Sequence, residues 1–256
     1  GKPFSSNNAM HTISLPQEPK YIELSPSHGK FEILGCYPGY GTTLGNAIRR
    51  ILLSSLEGAA ITSVKMKGVT HEFTTMPGVM EDVVQIILNL KQVRFRMVGD
   101  EPVQISLKFK GEGKATASLF KTATGLEVVN PDQVIATLSD KKAEIDMEVV
   151  VARGIGYIPV EQQEREKEIG MIAIDAIYTP VKRVNFEVEN MRVGKRTDYD
   201  KITLEIMTDG TIAPDVAFGK AVSILLRQFT ALASEEVKEV EKGAKVAKKK
   251  VAKKSE

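Results

Sequence analysis

The sequence is poor in the residues that most often carry chemistry. Its 256 residues include one cysteine, Cys36, and three histidines, His11, His28 and His71. A single thiol forms no internal disulfide and argues against a thiolate zinc site. It fits a reducing, cytoplasmic setting, and Cys36 itself reads as a small hydrophobe. The histidines are scattered, with no second ligand at metal spacing. No apolar run reaches the roughly 18 residues that span a bilayer, and no secretory leader is visible. Two glycine pairs resemble phosphate loops only superficially. Gly39-Tyr40-Gly41 lacks the Lys-Ser/Thr of a nucleotide-binding loop, and Gly154-Ile155-Gly156 lacks the strand–loop–helix setting and distant acid of a dinucleotide fingerprint. Both read as turns. No nucleophile–base pair of definable spacing is present. These absences weigh against catalysis by this chain, and no metal or cofactor is expected.

What remains is ordinary in amount and uneven in placement. Hydrophobic residues make up 42% and charged residues 27%, as in a globular protein with a sizeable core. The formal charge of +2 hides an asymmetry: residues 241–256 hold seven Lys and two Glu, which leaves the rest of the chain at −3. The Lys/Ala/Val repeats beyond Gly243 read as a low-complexity, disordered tail. Such a tail offers weak, sequence-independent contact to DNA through counterion release, or serves solubility alone. Without aromatics it offers no base stacking. Met10 reads as a natural start, with Gly1–Ala9 ahead of it in part foreign.

The most informative stretch is Gly39–Leu56, GYGTTLGNAIRRILLSSL. Glycines open it, Thr42 or Thr43 is placed to cap a helix, and Gly58 to end one. At about 100° per residue, Leu44, Ala47, Ile48, Ile51 and Leu52 share a broad face, while Leu53 and Leu56 fall outside it. A helix apolar on several sides is buried against its own domain and against another chain. Arg49 and Arg50 lie mid-helix. Their pattern is equally compatible with an internal ion pair and with an intermolecular contact, where the planar fork of Arg is favoured.

The remainder reads as strand-rich. Short strands are expected at Tyr21–Leu24 and Lys30–Leu34, then at Ala60–Lys67. A helix over Val79–Lys91 carries Met80, Val83, Val84, Ile87 and Leu90 as its apolar stripe, with Glu81 and Asp82 in its first turn. Val93–Val98, Val103–Lys108, Leu126–Val129, Val134–Leu138 and Glu144–Ala152 follow as strands, the last with clear alternation. Glu161–Glu168 reads as a mobile charged loop. Met171–Tyr178 reads as one strand buried on both faces, Val181–Glu189 and Lys201–Thr208 as alternating strands, and Met191–Asp200 as a polar connection. A last helix runs from Asp215 to about Val240 with Val222, Leu225, Phe229 and Leu232 at 3-4-3 spacing, joined by Leu226; that narrow seam points to helix–helix pairing. Among acidic groups, Glu144, Asp146 and Glu148 fit a solvated strand face. Asp198 and Asp200 have the spacing of magnesium ligands but no third partner, so a turn explains them better. His71, beside Glu72, fits a local hydrogen bond or a partner contact.

The run Gly41–Lys91, together with RGIGYIP (Arg153–Pro159), IDAIYTPVKRVNFEVE (Ile174–Glu189) and RTDYDKITLEIMTDGTI (Arg196–Ile212), resembles the amino-terminal region of the bacterial RNA polymerase alpha subunit. The resemblance covers about Tyr21 to Leu232, with long motifs in the same order. It implies a two-part α+β fold. Residues 10–57 and 180–240 would form a discontinuous dimerisation domain, residues 58–179 an inserted β-rich α+β domain, and 241–256 the disordered tail. The implied role is assembly. The chain would homodimerise through Leu44, Ile48, Ile51 and Leu52 of the early helix and Val222, Leu225, Leu226, Phe229 and Leu232 of the late one, and would dock the beta and beta-prime subunits. By motif position Arg50 would be the main beta-docking residue, with Arg49, Asn46 and Leu53 on the same helix and His71 and Glu72 in the loop His71–Gly78. Glu81, Asp82, Lys91, Asp175 and Arg183 match other surfaces that face the large subunits. The catalytic aspartates of the enzyme would belong to beta-prime.

Two departures matter: Tyr37-Pro38-Gly39-Tyr40-Gly41 replaces the family's arginine-glycine-phenylalanine-glycine run, and the sequence ends in the lysine tail ahead of the small DNA-binding domain usual in the family, either by truncation or because that domain is naturally absent. Two competing readings are a free-standing nucleic-acid binder relying on the tail, against which the acidic body speaks, and an enzyme built on Asp198 and Asp200. If the tail touches DNA, deleting residues 241–256 lowers promoter affinity and flattens its salt dependence in a titration; unchanged affinity and slope would remove the tail from that role.

Overall fold

The computed structural model describes residues 13–163 and 170–233. In chain order the elements are β1 (Lys20–Ser25), β2 (His28–Cys36), α1 (Tyr40–Ser54), β3 (Glu57–Met66), α2 (Val83–Leu90), β4 (Phe95–Met97), β5 (Val103–Lys110), β6 (Gly113–Thr116), β7 (Leu126–Val128) and β8 (Val134–Leu138). They continue with β9 (Glu144–Ile155), β10 (Tyr157–Ile158), β11 (Met171–Ala173), β12 (Ala176–Ile177), β13 (Val181–Val193), β14 (Arg196–Thr208) and α3 (Pro214–Leu232). The class is strand-rich α+β.

Two larger antiparallel sheets hold most of the strands, while β6 with β8 and β10 with β12 form two-stranded ribbons. The first takes its strands from both ends of the chain in the order β1-β2-β14-β13. Alternation puts Leu204 and Ile206 of β14, Phe31 of β2 and Val184 of β13 on one face, where α1 and α3 cover them. Ile48, Leu52, Leu56, Ala217 and Ala221 complete that core. The second sheet, β5-β9-β3-β4-β7 with β11 added to β3, draws on the intervening residues. Its apolar face, with Ile145, Met147, Val149 and Val151 from β9, buries Val83, Ile86 and Leu90 of α2 in a separate, larger core. The chain passes between the two layers twice, at Leu56–Gly58 and at Tyr178–Val181.

α1 lies unusually close to its sheet, and glycine is the reason. Its buried positions are Gly41, Gly45, Ile48 and Leu52. A Cβ on Gly45 would sit 2.5 Å from the Phe186 ring, and one on Gly41 would sit 2.8 Å from Asp200 and Val188. The supporting face of α1 is therefore set by two missing side chains as much as by apolar ones.

Several expectations are corrected. α1 begins at Tyr40, so Thr42 and Thr43 lie inside it and cap nothing; its N-cap is Gly39 at φ 84°. Gly58 does not end the helix but lies within β3, where the carbonyl of Tyr178 passes over it. α2 is shorter than predicted: Asp82 precedes it as N-cap, and Val83, Ile86 and Leu90 form its buried stripe while Met80 and Val84 are exposed. The stretch 171–178 breaks into β11 and β12 because Asp175 turns away to polar partners. Residues 191–200 are not a loop. They extend β13 and β14 into a long hairpin closed at Gly194, whose tip protrudes past the core and so carries polar residues on both faces. α3 ends at Leu232; its predicted extension to Val240, the tail and most of the charged loop at 161–168 lie outside the described residues.

Because the Tyr178 carbonyl occupies the space where a side chain at residue 58 would go, Gly58→Ala must displace backbone. It is expected to lower the stability of the fold by about 3 kcal/mol, read as a shift in the midpoint of urea unfolding.

Candidate docking surfaces

The outward face of α1 follows from its inward one. Two residues along a helix is a rotation of about 200°, so Arg50 points away from Ile48 and the sheet. Asn46, Arg49 and Arg50 are exposed and Leu53 is half-buried. Neither arginine forms an ion pair among the described residues. The internal pair that the sequence left open is thus not made there, and both charges face solvent.

The position of α1 is fixed at its start by a residue that sequence reasoning placed elsewhere. One oxygen of the Asp200 carboxylate accepts hydrogen bonds from Gly39 N at 3.0 Å and Gly41 N at 2.9 Å. The side chain caps the helix from the neighbouring strand, satisfying two backbone donors and placing negative charge at the positive end of the helix. Asp198 is occupied differently. It takes two hydrogen bonds from Arg196, at 3.0 and 2.7 Å, which hold its carboxyl below the usual range. The guanidinium of Arg196 also lies 5.8 Å from the Tyr37 ring and 5.4 Å from the Tyr199 ring. Asp198 and Asp200 therefore do not converge, and they lie along β14 rather than in a turn. Among the described residues no group of three His, Cys, Asp or Glu could hold a metal ion. Cys36 is fully buried, and burial raises its thiol pKa.

Of the residues assigned to a dimer seam, Ile48 and Leu52 are buried in the chain's own core, so their side chains are consumed within the chain. Leu44, Ile51 and Leu225 are half-buried. The other four are open: Val222 is 39% exposed, Leu226 65%, Phe229 63% and Leu232 82%. Together they form an exposed apolar stripe along α3.

The remaining assigned residues, Arg183 excepted, gather on the second layer. His71 is exposed and Thr74 bonds back to it, through its ring nitrogen at 3.2 Å and its carbonyl at 2.9 Å. Glu81 spends both carboxylate oxygens on Thr137, at 2.6 Å to its amide and 2.9 Å to its hydroxyl. Asp82 accepts from Gln85 N at 2.7 Å as the α2 cap. Lys91 and Asp175 pair at 2.8 Å, and Asp175 also accepts from Val160 N at 3.0 Å. The structure brings Glu72, Lys91 and Asp175 together as walls of one groove of about 230 Å³, floored by Ile87, Ile172 and Ile174. Val84 and Leu88 rim it, and the sequence pattern had read Val84 as core. Arg183 is remote, on β13, 3.7 Å from Glu205, which His28 also contacts at 2.6 Å. No helix among the described residues is long and apolar enough to cross a membrane.

Comparison with known proteins follows the same outline. Residues 64–179 match the family described as the RNA polymerase Rpb3/RpoA insert domain. Over 219 residues the chain is 50% identical to a DNA-directed RNA polymerase subunit alpha of Symbiobacterium thermophilum, covering 84% of this chain and 69% of that protein. Proteins of the same description from Aquifex aeolicus and a Roseiflexus species are 43% and 46% identical, over 87% and 88% of this chain and 71% and 69% of theirs.

The Lys91–Asp175 pair makes the groove pH-sensitive. The Lys91 ammonium, then the Val160 amide, hold the Asp175 carboxyl below its ordinary value. Its contribution is thus present above the unfolded carboxylate value of about 4 and is lost as pH falls through the lower folded value. Protection of the Val160 amide from hydrogen exchange, corrected for the intrinsic rate, is expected to drop between about pH 5 and pH 2. Asp175→Asn removes that step.

Proposed function

The chain belongs to the bacterial DNA-directed RNA polymerase alpha-subunit family, and on that premise we propose that it is a non-catalytic assembly scaffold of the polymerase. Residues 10–57 and 180–240 act as a discontinuous dimerisation domain and 58–179 as an inserted domain. Two copies pair, and the pair docks the beta and beta-prime subunits in the cytoplasm for DNA-templated transcription. The lysine-rich tail adds at most weak DNA contact.

The observation that carries this reading is the combination, on adjoining helices, of an exposed apolar stripe and exposed arginines that pair with no carboxylate among the described residues. α1 and α3 touch. Phe229 and Leu232 cost free energy in water that a second copy of α3 or α1 recovers by covering them, about 25 cal/mol per Å². Among the described residues Arg49 and Arg50 have no carboxylate to satisfy in their own chain, so a carboxylate of the beta subunit fits them, by the two-pronged geometry arginine favours. Asn46 and Leu53 flank them, with His71 and Glu72 as a second contact on the inserted domain. Glu81, Asp82, Lys91, Asp175 and Arg183 belong to surfaces for the large subunits. Of these, Glu81 and Asp82 act by shaping the backbone, since their carboxylates are already engaged.

Arg50→Ala is expected to leave the dimer intact by light scattering and to weaken capture of the beta subunit about 30-fold or more, the 2 kcal/mol of an interface hot spot. Phe229→Asp is expected to give the opposite phenotype, a monomer. An Arg50→Ala protein that becomes monomeric would assign Arg50 to the dimer instead, and a monomeric wild type would overturn the assembly reading.

A further inference from the structure

Two arginines, Arg94 just before β4 and Arg96 on it, join the layers beside the covalent crossings. The covalent crossings, Leu56–Gly58 and Tyr178–Val181, run side by side: the Tyr178 carbonyl covers Gly58, and the Thr179 hydroxyl donates to the Leu53 carbonyl at 3.3 Å. Two adjacent crossings leave rotation about them free, and a small interface between two cores ordinarily permits such motion. Beyond them a cleft of about 130 Å³ opens between Glu57–Ala59 and Thr211–Ile212. Arg96 lines this cleft, and the second connection, of which it is part, adjoins the Tyr178–Val181 crossing through Asp209 and Pro180.

Arg96 donates to two consecutive carbonyls of the turn after β14, Gly210 at 3.2 Å and Thr211 at 3.3 Å, and its third nitrogen is held by Glu127 at 2.7 Å. Arg94 lies 3.7 Å from the Asp209 carboxylate, whose side chain is 4% exposed, and donates to the Ile177 carbonyl at 3.4 Å. The turn is built to be gripped. Asp209 bonds the amide and hydroxyl of Thr211 at 2.9 and 2.6 Å, and Asp209 N donates to Pro180 O at 2.9 Å. On the other side the backbone of Arg94 is pinned by Asn130 at 2.7 Å and by Val129 N at 2.8 Å. Both halves of the contact are thus rigid before they meet, as a clamp requires. The gripped turn leads directly into α3.

We propose that Arg94 and Arg96 are positioning residues that lock the angle between the two layers and thereby complete the beta-docking surface. This rests on the docking reading above, in which Arg50 lies on one layer and His71 and Glu72 on the other. A partner that touches both needs them at one fixed angle. With the clamp open, only the fraction of molecules at that angle binds well, and the apparent dissociation constant rises by the inverse of that fraction.

The test places spin labels at Lys108→Cys on β5 and Lys195→Cys at the hairpin tip, both exposed and on different layers. Labelled chain is diluted with excess unlabelled chain so that distances report within one copy. A narrow distance distribution is expected for the parent and a broad or shifted one for Arg94→Ala/Arg96→Ala, with affinity for purified beta subunit reduced about tenfold if one molecule in ten stays competent. Arg96→Ala alone, with half its side chain exposed, is the milder variant that keeps the fold, and it should move both readouts the same way. An unchanged distribution in both variants overturns the clamp. A broadened distribution with unchanged beta affinity overturns its role in docking. A parent protein that binds no beta subunit fails the docking reading itself, while the distances still judge the clamp.

Discussion

The close seating of α1 on the β13–β14 hairpin is the constraint on which the outward surfaces depend. Gly41 and Gly45 remove the side chains that would hold the helix off, and Asp200 ties its first turn down through two backbone amides. Ile48 and Leu52 then reach the core. Once that face is inward, helical geometry leaves Arg49 and Arg50 no choice but solvent. The exposed charge is a result of packing beneath it, and a substitution on the hairpin can move a docking arginine without touching it.

The same logic runs through the second layer. Charges there that look available on sequence grounds are mostly committed. Glu81 holds β8 through Thr137, Asp82 caps α2, and Lys91 and Asp175 satisfy each other. What they leave open is apolar: the groove between α2 and β11, with Val84 and Leu88 at its rim. A surface assembled this way presents shape first and charge second, which is the usual anatomy of an interface centre with a polar rim.

How much of this was legible in the sequence depended on the range of the interaction. Alternation located β9 and most of β13 and β14, because burial of one sheet face imprints period two directly. The helical period located α1 and α3. It put Ile48 and Leu52 on the apolar face of α1 but not Gly41 and Gly45, which share the inward side, because a hydrophobic pattern cannot register an absent side chain. Thr42 and Thr43 were read as caps because capping signals are sought within a few residues. The actual cap, Asp200, lies 159 residues from Gly41. The hairpin at 191–200 was missed for a related reason: strands that project beyond a core lose the apolar alternation that reveals them. The family resemblance carried the docking assignments, which no pattern in these residues could have supplied alone. Arg94 and Arg96 left no local signal, since two arginines at the start of a short strand are unremarkable until the turn they grip comes into view.

The first sheet is also a matter of timing. β2 pairs with β14, so the strand that begins at His28 waits for one that ends at Thr208. At roughly 5–20 residues per second of synthesis, about 9 to 36 seconds separate their appearance. Throughout that interval the α1 segment, with Leu52 and Leu56 destined for full burial, has neither its sheet nor its Asp200 cap. The inserted layer, whose strands are contiguous in the chain, emerges complete before β14 exists. A nascent chain of this kind therefore carries a finished middle and an unfinished edge, and the ribosome-bound intermediate is where chaperones have most to shield.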